Sequence, residues 1–231
     1  MKKSTSTWRR VFLALLLLGF LWQAWYFVWV VWWRYFNPDM TSFMNHRLEQ
    51  MRDRNPRARL RHVWVPYNRI SVHLKRAVVA SEDDKFVDHD GFDWKGMEKA
   101  IEKNHRRGRI VAGGSTISQQ LAKNLFLSGS RTPWRKAQEA VITVWLELLW
   151  DKRRILEVYL NSVEWGNGIF GAEAAARHYF HVGAGNLSAE QAARLAVMLP
   201  APRRYGKNPY SPYLNARTDV ILGRMRYSEV P

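Results

Sequence analysis

Cysteine is absent from this chain of 231 residues, and acidic residues are scarce. The lack of cysteine excludes a disulfide scaffold, a zinc-finger type site and a cysteine nucleophile, and it leaves an oxidising compartment open. Only 20 Asp and Glu stand against 36 Lys and Arg, which gives a formal net charge of +16. This excess predicts an anionic partner: nucleic acid, a membrane surface or a phosphorylated ligand. The length is that of one or two domains.

Motifs for metal and nucleotide binding are also missing. The sequence contains no His-Glu-x-x-His pattern and no Gly-Lys-Ser/Thr ending of a P-loop. His178 and His181 lie three residues apart, but no third metal ligand accompanies them. No nucleic-acid-binding motif is recognisable. We therefore expect no metal site at these histidines and no nucleic-acid partner.

A long apolar run occupies residues 11–33. Its 23 residues carry no charge, and Gln23 is the only strongly polar side chain among them. As a helix the run would extend about 34 Å, enough to cross a hydrocarbon core of about 30 Å. Tryptophans crowd its C-terminal end, as in an interfacial aromatic belt. The alternative is a cleaved signal peptide, but the run exceeds the usual apolar core and no small-x-small cleavage site follows it.

Basic residues indicate the orientation of this segment. Lys2, Lys3, Arg9 and Arg10 precede the run, which places the N-terminus in the cytoplasm, although Arg34 at the far end weakly opposes this assignment. We predict a cytoplasmic tail over residues 1–10, a transmembrane helix over 11–33 and an extracytoplasmic domain over 34–231. The basic surface of a domain tethered in this way could also contact anionic lipid headgroups.

Helical periodicity dominates the rest of the chain. A clear 3.6-residue stripe joins the apolar residues from Ala137 to Leu148. Residues 94–107 form a charged helical segment that ends at Gly108, and Ser188 with Gln191 forms a capping box. Only residues 62–65 suggest a short strand. We predict one mainly α-helical domain.

Glu82 is the first candidate for chemistry. It continues a row of residues spaced four apart, Leu74 and Val78, and so lies at the edge of an apolar helix face. Partial desolvation there would raise its pKa and suit a general base. Spacing alone, however, favours a solvated acidic helix end.

The segment from Gly113 to Asn124 predicts a helix with a polar face. Ser115 or Thr116 can cap the helix, and Thr116, Gln120 and Lys123 then share one side. Exposed N–H groups at a helix N-terminus beside a lysine could bind an anion. An ordinary amphipathic helix explains the pattern equally well.

A third segment places cations where a helix normally carries acids. Thr132 and the following proline fit the N-cap and first helical position, so Arg135 and Lys136 fall in the first turn. Cations oppose the helix dipole there, which indicates that an anion binds nearby. An exposed Arg135–Glu139 pair explains Glu139 but leaves Lys136 without a reason. Arg131 adds another positive charge just before the cap.

Five segments follow one another in order over roughly residues 70–210. The first two are Glu82-Asp83-Asp84-x-Phe86-x-x-His89-x-Gly91 and Gly113-Gly114-Ser115-Thr116-Ile117-x-Gln119-Gln120-x-x-Lys123-Asn124. The third is Arg135-Lys136-x-x-Glu139, and the fourth is Ile155-Leu156-Glu157-x-Tyr159-Leu160-Asn161. The fifth runs from Leu187-Ser188 to the proline-rich residues 200–209. In this order the five segments resemble the peptidoglycan glycosyltransferases of glycosyltransferase family 51, with Gln191 where that family often carries Glu.

The resemblance implies a lysozyme-like, mainly helical fold with a small membrane-proximal lobe. It also implies polymerisation of lipid II, a disaccharide-pentapeptide on undecaprenyl pyrophosphate, by an inverting transfer that releases the lipid pyrophosphate. No Ser-x-x-Lys or Lys-Thr-Gly occurs, so we expect no transpeptidase activity. The substrates are then lipid II and the growing lipid-linked glycan at the inner membrane of a bacterium, with the catalytic domain in the periplasm. Other cell-wall synthesis or division proteins are further candidate partners.

The resemblance also implies roles for individual residues. Glu82 would be the base, and Glu139 would assist at the donor phosphate or sugar. The donor pyrophosphate would be stabilised by four cations, Lys123, Arg131, Arg135 and Lys136. Sugar and phosphate would be positioned by Asp83, Ser115, Thr116, Gln119 and Gln120. No cofactor is required, but Asp83 and Asp84 could hold a divalent cation.

Two other functions compete with this interpretation. A glycan-cleaving enzyme on a similar fold would need an acid carboxyl at the glycosidic bond but no cation cluster at Glu139. A non-catalytic membrane-tethered scaffold for cell-wall machinery would not depend on Glu82.

Overall fold

The computed structural model describes residues 4–109, 113–127 and 132–231. Within these ranges the structure is mainly helical, as predicted. The helices of the first half are α1 (Ser4–Tyr35), α2 (Ser42–Arg52), α3 (Val72–Glu82), α4 (Trp94–Arg107) and α5 (Ile117–Phe126). Those of the second half are α6 (Pro133–Leu149), α7 (Lys152–Ser162), α8 (Ala172–Phe180), α9 (Ala189–Met198), α10 (Pro202–Tyr205) and α11 (Pro212–Arg224).

The described strands form one small sheet. It consists of β1 (Arg61–His62), β2 (Glu164–Gly166) and β3 (Ile169–Phe170), in the order β1-β3-β2. β1 runs parallel to β3, and β2 runs antiparallel to it. The strand predicted over residues 62–65 is therefore shorter and begins one residue earlier.

Local capping chemistry sets many of the helix ends. Thr116 and Ser188 each form a full capping box, with Gln119 and Gln191 respectively. Asp151 caps α7 through the backbone N–H of Arg154, and Gly108 ends α4 in the left-handed region. These boundaries agree with the sequence prediction because they depend only on residues within about one turn.

The core is built from the apolar faces of α3, α5, α7 and α9. Leu74, Leu121, Tyr159 and Leu195 are fully buried in it, and α9 packs against both α3 and α11. Burial of these faces holds the end of α3 against the start of α5. The two polar segments singled out in the sequence therefore meet at one edge of the core.

Helix α1 contains the apolar run, and its second half contacts the domain. Residues 7–35 form the described helix that is long and apolar enough to cross a membrane. Its second half packs along α6: Phe27 stacks edge-on against Trp145, and the indole N–H of Trp150 donates to the carbonyl of Val30 at 2.9 Å. The helix is thus both an anchor candidate and part of the folded domain.

Helix α11 was not predicted from periodicity. Its local start signal is present, since Ser211 caps it and Pro212 occupies the first helical position. Its apolar residues Leu214 and Ile221 are buried, but they are interleaved with exposed apolar side chains such as Val220. The helix therefore shows no clear amphipathic pattern.

Candidate active site

Glu82 is the last residue of α3 and lies beside α5. Its Oε2 atom accepts a hydrogen bond from Nε2 of Gln120 at 2.9 Å. Burial raises the pKa of Glu82, and the hydrogen bond from Gln120 and the charge of Lys123 oppose that rise. The solvated helix end that spacing alone favoured is therefore wrong, because α5 covers this side of the carboxyl group.

Tyr159 orients the amide that contacts Glu82. The fully buried hydroxyl of Tyr159 donates to Oε1 of Gln120 at 2.9 Å. Since the amide oxygen accepts this bond, the amide NH₂ points towards Glu82. Tyr159 lies in the fourth sequence segment, but its spacing gave no signal of this role.

Asp83 joins the end of α3 to the start of α5. Its Oδ1 pairs with Nε2 of His89 at 2.9 Å, and its Oδ2 accepts from the backbone N–H of Ile117 at 2.9 Å. The side chain is 3% exposed. Asp83 therefore fixes the helix start that carries Gln120, and direct substrate contact through Asp83 stays a prediction.

Thr116 and Gln119 are likewise engaged within the protein. The hydroxyl of Thr116 donates to the carbonyl of Gly91 at 2.7 Å and accepts from the backbone N–H of Gln119. Oε1 of Gln119 accepts from the backbone N–H of Thr116 at 3.1 Å. Both residues are buried, whereas Ser115 is exposed beside them. If Thr116 and Gln119 position substrate as predicted, they do so through the shape of this turn.

The first turns of α6 form a charged cluster around Glu139. Nη1 of Arg135 lies 3.1 Å from one carboxylate oxygen of Glu139, and Nζ of Lys136 contacts the other. The pair predicted from spacing is present, but Glu139 is only 3% exposed, so it is not a surface pair. The argument that nothing in the protein explains Lys136 is wrong, since Glu139 pairs with it.

Arg135 nevertheless has an unused donor. Its Nε atom is buried and has no hydrogen-bond partner among the described residues. A buried donor without a partner costs roughly 1–3 kcal/mol, which an anionic ligand would recover. The cluster therefore contains one donor without a partner among the described residues, in addition to the two groups that contact Glu139.

Lys123 links the two carboxylates electrostatically. Burial lowers the pKa of Lys123; the negative charge of Glu139 opposes this shift, and the positive charges of Arg135 and Lys136 add to it. Glu82 also interacts with Lys123. Of the predicted site residues, the fold thus brings together Glu82, Gln120 and Lys123 with the Glu139 cluster.

The two side chains of the Glu82–Gln120 hydrogen bond line different cavities. The smaller, of about 130 Å³, is lined by Glu82 and Ser115 together with Asp84 and Arg224. The larger, of about 590 Å³, is lined by Gln120 and Lys123 on α5. Its other walls come from α2 and from residues 199–204, which sequence reasoning did not include in the site: His46, Arg47, Gln50, Arg203 and Arg204.

Arg131 lies outside the described residues. In the described part of the chain, no group of three His, Asp or Glu side chains is arranged to hold a metal ion. Asp84 pairs with Arg224 at 3.3 Å and accepts from the hydroxyl of Ser228 at 3.2 Å. With both oxygens of Asp83 also engaged, the two aspartates do not present a free donor set.

Comparison with known proteins connects this geometry to a family. The transglycosylase family matches residues 47–226, which include the lining of the smaller cavity and most of the lining of the larger one. The biosynthetic peptidoglycan transglycosylase of Azoarcus sp. (strain BH72) is 64% identical over 229 residues, covering 98% of this chain and 99% of that protein. The proteins of the same name from Aromatoleum aromaticum and Nitrosospira multiformis are 63% and 56% identical over 222 residues, covering 96% of each chain. The chain therefore belongs to the transglycosylase family, and its domain has the lysozyme-like, mainly helical fold of that family.

Proposed function

We propose that this protein is a peptidoglycan glycosyltransferase that polymerises lipid II into glycan strands. The observation that carries the proposal is the position of Glu82. A desolvated carboxylate with a raised pKa lies beside Gln120 and Lys123, and Lys123 interacts with the anion-binding cluster at Glu139. A base next to a cationic pocket suits the attack of a hydroxyl on a sugar that carries a pyrophosphate leaving group.

Glu82 would act on the acceptor. Its ionised carboxylate removes the proton from the 4-hydroxyl of the acceptor GlcNAc. That oxygen forms a bond to C1 of the donor MurNAc as the bond from C1 to the pyrophosphate oxygen breaks, which inverts α to β. The raised pKa makes Glu82 a stronger base than an ordinary glutamate at neutral pH.

The cations would act on the leaving group. Lys123, Arg135 and Lys136 stabilise the negative charge that develops on the pyrophosphate, and we assign Arg131 to the same group. The buried Nε of Arg135 has no partner among the described residues and would become a further donor if substrate binding exposed it. Glu139 holds Arg135 and Lys136 in place and limits their mutual repulsion before the substrate binds.

The remaining predicted residues would position these groups. Ser115 faces the smaller cavity and is free to contact the acceptor sugar. Asp83, Thr116 and Gln119 preserve the turn from which Ile117 starts α5. We route no step through a divalent cation, because the oxygens of Asp83 and Asp84 are engaged by protein groups.

The membrane assignment follows from the substrate. A glycan precursor on a lipid anchor stays at the bilayer, and α1 would hold the domain there. We propose a single-pass protein of the bacterial inner membrane with its catalytic domain in the periplasm. We also propose that it lacks transpeptidase activity, since the sequence contains neither Ser-x-x-Lys nor Lys-Thr-Gly.

The test is polymerisation of labelled lipid II by the full chain in detergent. The parent should form long strands, and Glu82→Gln should form none while remaining folded. Glu98→Gln, an exposed acid on α4, is the matched control and should behave like the parent. A folded parent without polymer would overturn the function. Cleavage of finished glycan by that parent would favour the hydrolytic alternative, and polymer from Glu82→Gln would remove Glu82 as base.

A further inference from the structure

A second cationic region lies outside the proposed catalytic groups. It is a cavity of about 730 Å³ between the sheet, the end of α8 and α10, and we call it the basic cavity. Its described lining contains no Asp or Glu. Six of its residues carry a positive charge: Arg54, Arg59, Arg61, Arg203, Arg204 and Lys207.

These charges are not neutralised by the protein. None of the six forms an ion pair with an acidic side chain of the described residues. Nη1 of Arg61 lies 3.1 Å from Nδ1 of His178, and burial together with the charge of Arg61 lowers the pKa of that histidine. Two acids lie nearby: Asp53 lines an adjoining cavity together with Arg54 and Arg203, and Glu164, which is paired with Arg47, accepts from the backbone N–H of Gly168 at 3.2 Å. All six residues are exposed, so solvent and salt screen much of their mutual repulsion, and an anion bound among them would reduce it further.

The basic cavity continues into the active-site cleft. Arg203 and Arg204, both on α10, line it and also line the cavity that contains Gln120 and Lys123. One cationic path therefore leads from the proposed donor side of the active site to Arg54, Arg59 and Lys207.

The chemistry of the proposed reaction places a polymer on this path. The growing strand reacts at C1 of its terminal sugar. Its older units must therefore extend through the donor side, away from the reacting carbon. Each disaccharide unit carries a pentapeptide, and each pentapeptide ends in a carboxylate. Guanidinium groups bind carboxylates through paired, charge-assisted hydrogen bonds. A trailing strand thus brings a series of anions to a row of cations.

We propose that the basic cavity binds the peptide carboxylates of the growing glycan strand as it leaves the active site. The proposal rests on the function proposed above. Binding at this distance from the reacting carbon retains the strand between successive additions. Its effect is on strand length rather than on bond formation.

The variant that tests the cavity is Arg54→Gln/Arg59→Gln/Lys207→Gln. This variant keeps Arg61, because Arg61 belongs to the sheet, and it keeps Arg203 and Arg204, because they also line the active-site cavity. The matched control is Arg57→Gln/Arg76→Gln/Lys95→Gln, which removes the same charge from three exposed residues outside the cavity. Both are made in the full chain.

The first measurement is binding of soluble, uncrosslinked glycan strands that carry pentapeptides, and of the same strands with their carboxylates amidated. The parent and the control should prefer the acidic strands, and the cavity variant should bind them at least about tenfold more weakly. Equal binding by variant and control, or indifference of the parent to amidation, would overturn the proposal. The proposal would also be overturned if the cavity variant lost binding only to vesicles of acidic phospholipid, because the cavity would then be a lipid-headgroup site.

The second measurement is strand length from lipid II. The cavity variant should give shorter strands than the control at an unchanged rate of the first coupling. Unchanged strand length would contradict the retaining role. If the parent makes no polymer, the proposed function fails, while the binding measurement still reports on the cavity itself.

Discussion

The side-chain amides of Gln23 and Gln138 donate hydrogen bonds to each other across the interface between α1 and α6. The distances are 2.8 Å from Nε2 of Gln23 to Oε1 of Gln138 and 3.1 Å in the reverse direction. Gln23 is the only strongly polar residue of the apolar run, and Gln138 directly precedes Glu139. The pair therefore fixes where the cationic cluster lies along the membrane helix.

We expect Gln23→Leu to loosen this junction. The amide of Gln138 is 5% exposed and would lose its partner, at a cost of about 1–3 kcal/mol in water-like surroundings and less in a bilayer. The measurements are the thermal midpoint and the polymerisation rate in lipid vesicles, and both should fall. Adding Gln138→Leu should restore part of the stability, because both polar groups are then removed. A double variant that is worse than the single one would contradict a specific amide pair.

The pH profile should report the state of Glu82. The base accepts a proton only when ionised, so activity is lost as pH falls through its pKa. Burial raises that pKa, which moves the acid limb of kcat/KM to a higher pH than an ordinary glutamate gives. Gln120→Leu removes a donor that favours the ionised form and should move the limb higher still. Gln191→Leu, in the capping box of α9, is the control; a limb that does not move in Gln120→Leu would remove Gln120 from this role.

Tyr159→Phe should act on Glu82 through Gln120. Without the hydroxyl, the amide of Gln120 is free to turn, and the hydrogen bond to Glu82 weakens. We expect the acid limb to move in the same direction as in Gln120→Leu, but less. Loss of the buried hydrogen bond should also lower the free energy of unfolding by about 1–3 kcal/mol. A stability loss with an unshifted pH profile would show a purely structural role.

Glu139→Gln should make the stability of the protein depend on a bound anion. Arg135 and Lys136 would lose their shared carboxylate, so the free energy of unfolding should fall by about 1–3 kcal/mol. Inorganic pyrophosphate should stabilise this variant more than it stabilises the parent, because it can replace the missing charge. Thermal unfolding with and without pyrophosphate measures this. Equal shifts in both proteins would contradict an anion site at the cluster.

Removing each of the two capping boxes distinguishes an effect on stability from an effect on activity. Thr116→Ala and Ser188→Ala each remove an N-cap side chain and should cost about 1 kcal/mol. Only Thr116 starts the helix that carries Gln120 and Lys123, and its hydroxyl also contacts Gly91. We therefore expect Thr116→Ala alone to slow polymerisation at a temperature where both variants are folded. Equal activity in the two variants would count against the turn as a positioning element.

Features that depend on neighbouring residues could be predicted from the sequence. The capping of α5, α7 and α9, the end of α4 at Gly108 and the Arg135–Glu139 pair all involve residues within one or two turns. The apolar run before the domain and the ordered motifs belong to the same class of signal. The contacts within these features can be predicted from the sequence, because residues three or four positions apart are neighbours on a helix.

Only the tertiary structure decided which distant groups meet in the site. Tyr159 reaches Gln120 across 39 positions, and Gln23 reaches Gln138 across 115. The desolvation of Glu82 and the convergence of Arg54 and Arg203 on one side of the molecule also come from packing. No periodicity along the chain encodes these contacts, because they result from how the buried faces of α3, α5, α7 and α9 fit together. The sequence alone therefore determined most of the helices, the apolar run and the charged segments, and burial in the folded core determined which of their side chains act together.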